Sequence, residues 1–266
     1  MLRNYLLVAF RNIWRDKGYA LINILGLAIG IASSIIILLF VLDELSYDRH
    51  NEHFADIYRI CIRGKIQGNE MEAALSNAPM GATLKRDFPE VTEFTRLFTF
   101  DGDPIVRYED RVFVEQEFYY ADSTFFNVFT APVIQGDPEK MLNRPNTLVL
   151  TEETARKYFG DEDPVGKMLK VGQEEENFEV TGVVREFPHN SHFRFNMLSS
   201  MSSIYIADLE QWLGNNNYTY IVLQEGFDPD KLEAKFPDLL RKHMGPQLEE
   251  LLGMTMEEFL GGGNQY

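Results

Sequence analysis

The sequence predicts an α+β ectodomain of mixed helices and strands, in one or two lobes, preceded by a single transmembrane helix. Three observations predict it. Residues 18–42 carry no charged side chain, a run long enough to cross the hydrocarbon layer as a helix. Basic residues precede that run and acidic residues follow it. Beyond it, strand-like and helix-like segments alternate over about 200 residues.

The first element is the segment 1–17. Leu2, Leu6, Phe10 and Trp14 recur every four residues, with Leu7 and Ile13 beside them and Arg3, Arg11 and Arg15 away from the stripe. That pattern fits an amphipathic helix in the cytoplasmic interface, or a basic leader with its tryptophan at the headgroups. The span comes next. Its core, Ile35-Ile36-Ile37-Leu38-Leu39-Phe40-Val41-Leu42, is too apolar for a surface helix. A cleaved signal peptide would have a shorter apolar region ending at small residues. Here Ala32-Ser33-Ser34 is followed by more apolar chain, so cleavage is not expected. Gly26, Gly30 and Ser34, with Ala32 beside them, form a face of small residues. Such a face lets a second helix approach closely in lipid, and these three are the candidate helix-packing residues.

Charge sets the direction. Arg3, Arg11, Arg15 and Lys17 oppose only Asp16 before the span, while Asp43, Glu44, Asp48, Glu52 and Asp56 follow it. The positive-inside bias then keeps the amino terminus in the cytoplasm and exports the rest. The chain's net charge of −16 leaves the part beyond residue 17 at about −19. Nucleic acid and anionic lipid are disfavoured as its partners, although acidity also serves plain solubility. Hydrophobic residues at 45% and aromatics at 13% exclude disorder, and a slightly negative mean hydropathy excludes a multi-span bundle.

The exported elements follow in order. Residues 57–62 are β-branched and apolar and read as a strand; the lone cysteine, Cys61, falls inside it and is expected as a small buried hydrophobe. Asn77-Ala78-Pro79 starts a short helix through Leu84, which Phe88-Pro89 ends. Residues 111–115 and 117–121 alternate as half-buried strands do. Thr147-Leu148-Val149-Leu150 is a short buried strand. Thr151 then caps a helix with Glu152 and Glu153 in its first turn, Lys157 near its end and Gly160 closing it. Residues 178–184 and 218–223 are further strands. Asp228-Pro229 caps a helix that Pro237 kinks or interrupts, and Gly261, Gly262 and Gly263 read as a flexible exit.

Enzyme chemistry is not encoded in a readable motif. Residues 160–167 superficially resemble a phosphate-binding loop. Their glycines are one position too far apart, Met168 replaces the magnesium-binding hydroxyl, and three acids would repel phosphate, so a turn is expected. His50 and His53 would face Asp56 as a metal site only if they shared a helix face; solvated histidines in a charged stretch are the expectation. His189 and His192 follow Pro188 in a polar turn. No cofactor, metal or catalytic residue is expected.

Taken as an ordered series, these residues resemble the MacB-like periplasmic core domain of FtsX-like ABC transporter permeases. Leu45-Ser46-Tyr47-Asp48-Arg49 with Asp56-Ile57-Tyr58-Arg59 opens the match. Tyr119-Tyr120-Ala121-Asp122-Ser123-Thr124-Phe125-Phe126, Val149-Leu150-Thr151-Glu152 and Tyr158-Phe159-Gly160-Asp161-Glu162-Asp163-Pro164-Val165-Gly166-Lys167 continue it. Val180-Thr181-Gly182-Val183-Val184 and Pro188-His189-Asn190-Ser191-His192-Phe193 complete it. The resemblance implies a cytoplasmic segment 1–17, a membrane helix 18–42, a periplasmic core domain 43–245 and a helical tail with a flexible exit over 246–266. It implies the bacterial inner membrane, a separate cytoplasmic ABC-type ATPase and other permease chains as partners, and a domain that relays ATPase-driven motion for export or envelope remodelling. It also implies that the membrane helix runs on as a stalk through 43–47, and that the motifs are structural. Permeases of this family carry further membrane helices after the domain, so the chain is expected to be a fragment, a truncated non-transporting product or a half that assembles with others. The alternative is a membrane-anchored periplasmic binding or adaptor module.

Overall fold

The computed structural model describes residues 2–66 and 69–261. Contacts divide the chain into two units, Met1–Asp48 and Arg49–Tyr266.

In the first unit, α1 (Leu2–Arg15) is separated from α2 (Lys17–Glu44) by Asp16, which makes no side-chain cap. At 28 residues α2 is about 42 Å long, apolar enough to cross a membrane, and none of its residues is buried in the protein. A helix closes its own backbone hydrogen bonds, so an uncovered apolar surface of that length is compatible with a lipid surrounding. Of the expected amphipathic stripe, Trp14 and Ile13 are exposed, while the side chains of Leu2, Leu6, Leu7 and Phe10 lie outside the described residues. The helix does not continue as a stalk through 43–47. It stops at Glu44; Ser46 Oγ donates to the backbone Asp43 O at 2.6 Å, and turns follow.

The second unit is built on strands. They are β1 (Ile57–Arg59), β2 (Ile62–Ile66), β3 (Asn69–Ala73), β4 (Val91–Phe98), β5 (Ile105–Tyr108), β6 (Arg111–Val114) and β7 (Phe118–Ala121). Then come β8 (Val133–Gln135), β9 (Thr147–Thr151), β10 (Met168–Val171), β11 (Glu176–Val184), β12 (Met197–Ser200) and β13 (Tyr218–Leu223). One mixed sheet runs β1-β13-β4-β7-β12-β9-β11-β10-β5-β6, with β8 added on β11. Only the β7–β12 and β9–β11 pairings in it are parallel. The sheet continues across the whole unit, so the ectodomain is one body rather than two lobes.

The strand expected over 57–62 is broken. Ile60 still donates to Thr219 O at 2.9 Å, but the chain then leaves the sheet and pairs β2 with β3 as a separate hairpin. That departure corrects the reading of Cys61, which is exposed.

Helices cover the faces. α3 (Met80–Asp87) begins after Pro79 and stops at Phe88, as the two prolines require. α4 (Phe125–Val128) is one turn. α5 (Glu152–Phe159) is capped by Thr151, whose hydroxyl accepts from Thr154 N, and is ended by Gly160 at φ 64°. α6 (Pro229–Glu233) is capped by Asp228. The interruption expected at Pro237 falls just before it: α7 (Phe236–Leu252) restarts with Pro237 in its first turn. α8 (Met256–Gly261) closes the described chain; of the flexible exit expected at Gly261, Gly262 and Gly263, Gly261 ends this helix and the other two lie outside the described residues.

Three apolar clusters fill the spaces. Tyr158 and Phe159 of α5 pack on Val106, Leu150 and Val180. Phe125, Phe129, Phe195 and Tyr220 form an aromatic cluster. Leu239, Met244 and Leu248 of α7 pack on Leu84 and Ile221. Each such side chain contributes about 1.5–3 kcal/mol by leaving water.

Candidate functional site

Gly26, Gly30 and Ser34 line one shallow groove on α2, with Ile31 and Ile35 at its sides. A Cβ built on Gly26 or Gly30 would meet nothing within 4 Å, so the groove is bare. Ser34 Oγ donates to Gly30 O at 2.9 Å, which satisfies the hydroxyl inside its own helix. What the groove offers is therefore close approach, not a free hydrogen-bond donor.

In the ectodomain the polar side chains best held are buried ties. Arg96 on β4 places all five guanidinium N–H groups. Nε and one terminal nitrogen form a fork onto the two oxygens of Asp122 at 2.9 and 2.8 Å, and the remaining donors reach Ala78 O at 2.9 Å and Ala207 O at 3.3 Å. Asp122 also accepts from Arg96 N at 2.8 Å. One buried ion pair thus joins a central strand, the end of β7, the approach to α3 and a 3-10 turn at 205–208. Burial works against the guanidinium's charge, but the Asp122 hydrogen bonds and charge outweigh it and raise its pKa. Sequence reading missed this site, although Asp122 stood inside a conspicuous aromatic run.

A second tie fixes the end of α5. Glu115 is 2% exposed and accepts from Lys157 Nζ at 2.6 Å and from the Tyr158 hydroxyl. Burial first, then the Glu115 hydrogen bond, pushes the Tyr158 hydroxyl far above its ordinary range. The tyrosine therefore stays protonated and donates to the carboxylate.

The histidines do not assemble. Residues 45–56 form turns, so His50 and His53 share no helix face, and the described residues hold no group of three or more metal-ligating side chains. His50 is not solvated as expected; it is half-buried, edge-on to Phe187 with centroids 5.3 Å apart. Its neighbour Asn51 is buried, accepts from Thr130 N at 3.0 Å, and lets Glu52 N donate to Thr130 Oγ1 at 2.9 Å. His192 Nε2 lies 2.8 Å from the Tyr220 hydroxyl at the expected polar turn.

The model of one protein family, the MacB-like periplasmic core domain, matches residues 20–239. The chain belongs to that family. A domain assigned to a permease protein from Porphyromonas gingivalis shares its fold: 22% identity, a TM-score of 0.68, and coverage of 82% of this chain and 91% of that one. The periplasmic region of MacB from Actinobacillus actinomycetemcomitans is 19% identical with a TM-score of 0.47, covering 63% of this chain and 73% of its own. The extracellular domain of the ABC-type transporter YknZ from Gram-positive bacteria is 16% identical with a TM-score of 0.44, covering 74% and 96%. No curated protein matches.

In this MacB-like domain the sequence motifs resolve into structural parts. Arg59 donates to Ala74 O at 3.1 and 2.7 Å and stacks over Tyr218. Gly182 lies against Met141, whose Sδ would be 1.8 Å from an added Cβ. Across the turn at 160–167, Gly166 N donates to Val180 O at 2.8 Å, and Asp163 accepts from Val165 N at 3.2 Å. These motif residues hold the sheet and its turns together.

Proposed function

We propose that this chain is the permease component of a MacB/FtsX-type ABC transporter and that its ectodomain relays ATPase-driven motion. Residues 1–17 lie in the cytoplasm, 18–42 cross the bacterial inner membrane, 43–245 form the periplasmic core domain and 246–266 its tail. A separate cytoplasmic ABC-type ATPase supplies the work, and other permease chains complete the membrane part. Gly26, Gly30 and Ser34 form the face on which a helix of such a chain packs. The ectodomain performs no catalysis of its own.

One observation carries the reading: in a member of this family, one large mixed sheet runs through the ectodomain, and the ion pairs Arg96–Asp122 and Lys157–Glu115 tie separate segments onto it. A relay needs an element that moves as a body rather than deforming, and a continuous, internally tied sheet meets that need.

Purification of the full chain from its native membrane in mild detergent tests the assembly. An ABC-type ATPase should be retained, and its loss from a Gly26→Leu/Gly30→Leu chain that still inserts would assign the helix face. Recovery with periplasmic proteins alone overturns the relay. Protease added to spheroplasts should digest the ectodomain; protection of that part overturns the orientation.

A further inference from the structure

Between the loop after β4 and the turn after β10 lies a cleft of about 450 Å³ that the relay does not use. Its walls are aromatic. Phe100, Phe118 and Tyr120 all line it. The Phe100 ring stands at 86° to Tyr120 with centroids 5.7 Å apart, and Phe118 meets Tyr120 at 64° and 5.3 Å. Phe118 and Tyr120 are 5% and 9% exposed and form the floor, so Phe100 supplies most of the open aromatic surface that an organic cation requires of a binding site. Phe100 is 46% exposed, so this wall is open.

The charge around the cleft has the matching sign. Asp101 and Asp103 line it, both exposed and neither ion-paired among the described residues. Tyr120 is 9% exposed, and its hydroxyl has no hydrogen-bond partner among the described residues, although it is not sealed from solvent. Burial first, and the Glu176 carboxylate second, push that hydroxyl up to about 12, so it remains neutral and its oxygen can accept from an N–H or O–H group. Arg107 comes near through Gly172 O, to which it donates at 3.0 Å, and it is paired with Glu175 at 3.6 Å.

We infer that this cleft binds a small organic cation of the ammonium class, its methyl or methylene groups against Phe100, Phe118 and Tyr120 and its charge balanced by Asp101 and Asp103. The inference is independent of the relay: it needs only the folded ectodomain.

The test uses the full chain, labelled with 3-fluorotyrosine, in maltoside micelles. Its Tyr120 fluorine resonance is assigned with Tyr120→Phe. Choline should shift that resonance saturably, at an affinity in the millimolar range or better, against sodium chloride at equal ionic strength. The neutral isostere 3,3-dimethylbutan-1-ol should bind about tenfold more weakly, and Phe100→Leu and Asp101→Asn/Asp103→Asn should each weaken choline by about three- to tenfold. No saturable shift up to about 100 mM choline, or equal binding of the alcohol, overturns the site. Unchanged affinity in the double asparagine chain overturns the role of the carboxylates. Thermal unfolding of each variant checks its fold, and the choline-to-alcohol comparison on the unsubstituted chain decides the matter without any variant.

Discussion

Arg96 and Asn77 meet through Ala78 and show opposite fates of a buried polar side chain. Arg96 satisfies every donor, in part on Ala78 O. Asn77 is 0% exposed, and neither of its amide atoms has a hydrogen-bond partner among the described residues. Arg96→Ala strands the Asp122 carboxylate and should cost about 3–5 kcal/mol in urea unfolding. Asn77→Leu removes two orphaned groups at similar volume, and should leave stability unchanged or raise it by about 1–3 kcal/mol. A loss of that size instead would mean the amide is satisfied in solution. His243 gives a pH reading. Its ring stacks on Trp212 at 4.7 Å and 10°, with Asp87 Oδ2 3.8 Å from Nε2 and Lys242 and Arg86 close by. Burial, then Lys242, lowers its pKa below the ordinary 6.5 against the pull of Asp87. A base depressed in the folded state stabilises above pH 6.5, and that stabilisation is lost as pH falls through the folded value. In a Trp14→Phe chain, tryptophan fluorescence should titrate with a midpoint under 6.5, and His243→Gln should abolish the step. A midpoint above 6.5 contradicts the burial.

At the scale of elements, what was legible depended on local chemistry. The strand–helix unit at 147–160 could be read because Thr151, the two glutamates and Gly160 each act on the nearest turn. Residues 218–223 could be read because both faces of β13 are buried and the run is β-branched and aromatic. Residues 57–62 misled because their composition is uniform while their partners are not: β1 pairs with β13, and β2 pairs only with β3. Strand β12, Met-Leu-Ser-Ser, has no period to read, yet all four residues are buried between β7 and β9. The glycine of β11 also had a hidden reason. Gly182→Ala would press on Met141, itself 1% exposed, and on Gln135 O at 3.1 Å. The expected cost is about 1–3 kcal/mol of overpacking, and Met141→Ala should relieve part of it, a coupling that a double-mutant cycle measures.

For the molecule as a whole, residues 49–266 carry a net charge of about −16 on one continuous sheet. A chain beginning at residue 49 should therefore unfold in a single transition, at a temperature that rises as sodium chloride goes from about 10 to 150 mM and screens the self-repulsion. Two separate transitions would mean that the sheet is not one cooperative body. The long apolar helix, the charge asymmetry around it and the acidic bulk were legible in the order of residues alone, since each depends only on which residue types follow one another along the chain. Which polar groups are tied and which face a cleft was decided by the tertiary structure. Arg96 and Asp122 lie 26 residues apart, and the aromatic walls of the cleft come from separate segments, Phe100 following β4 and Phe118 and Tyr120 on β7. Contacts of that kind follow from strand order, which no local pattern encodes.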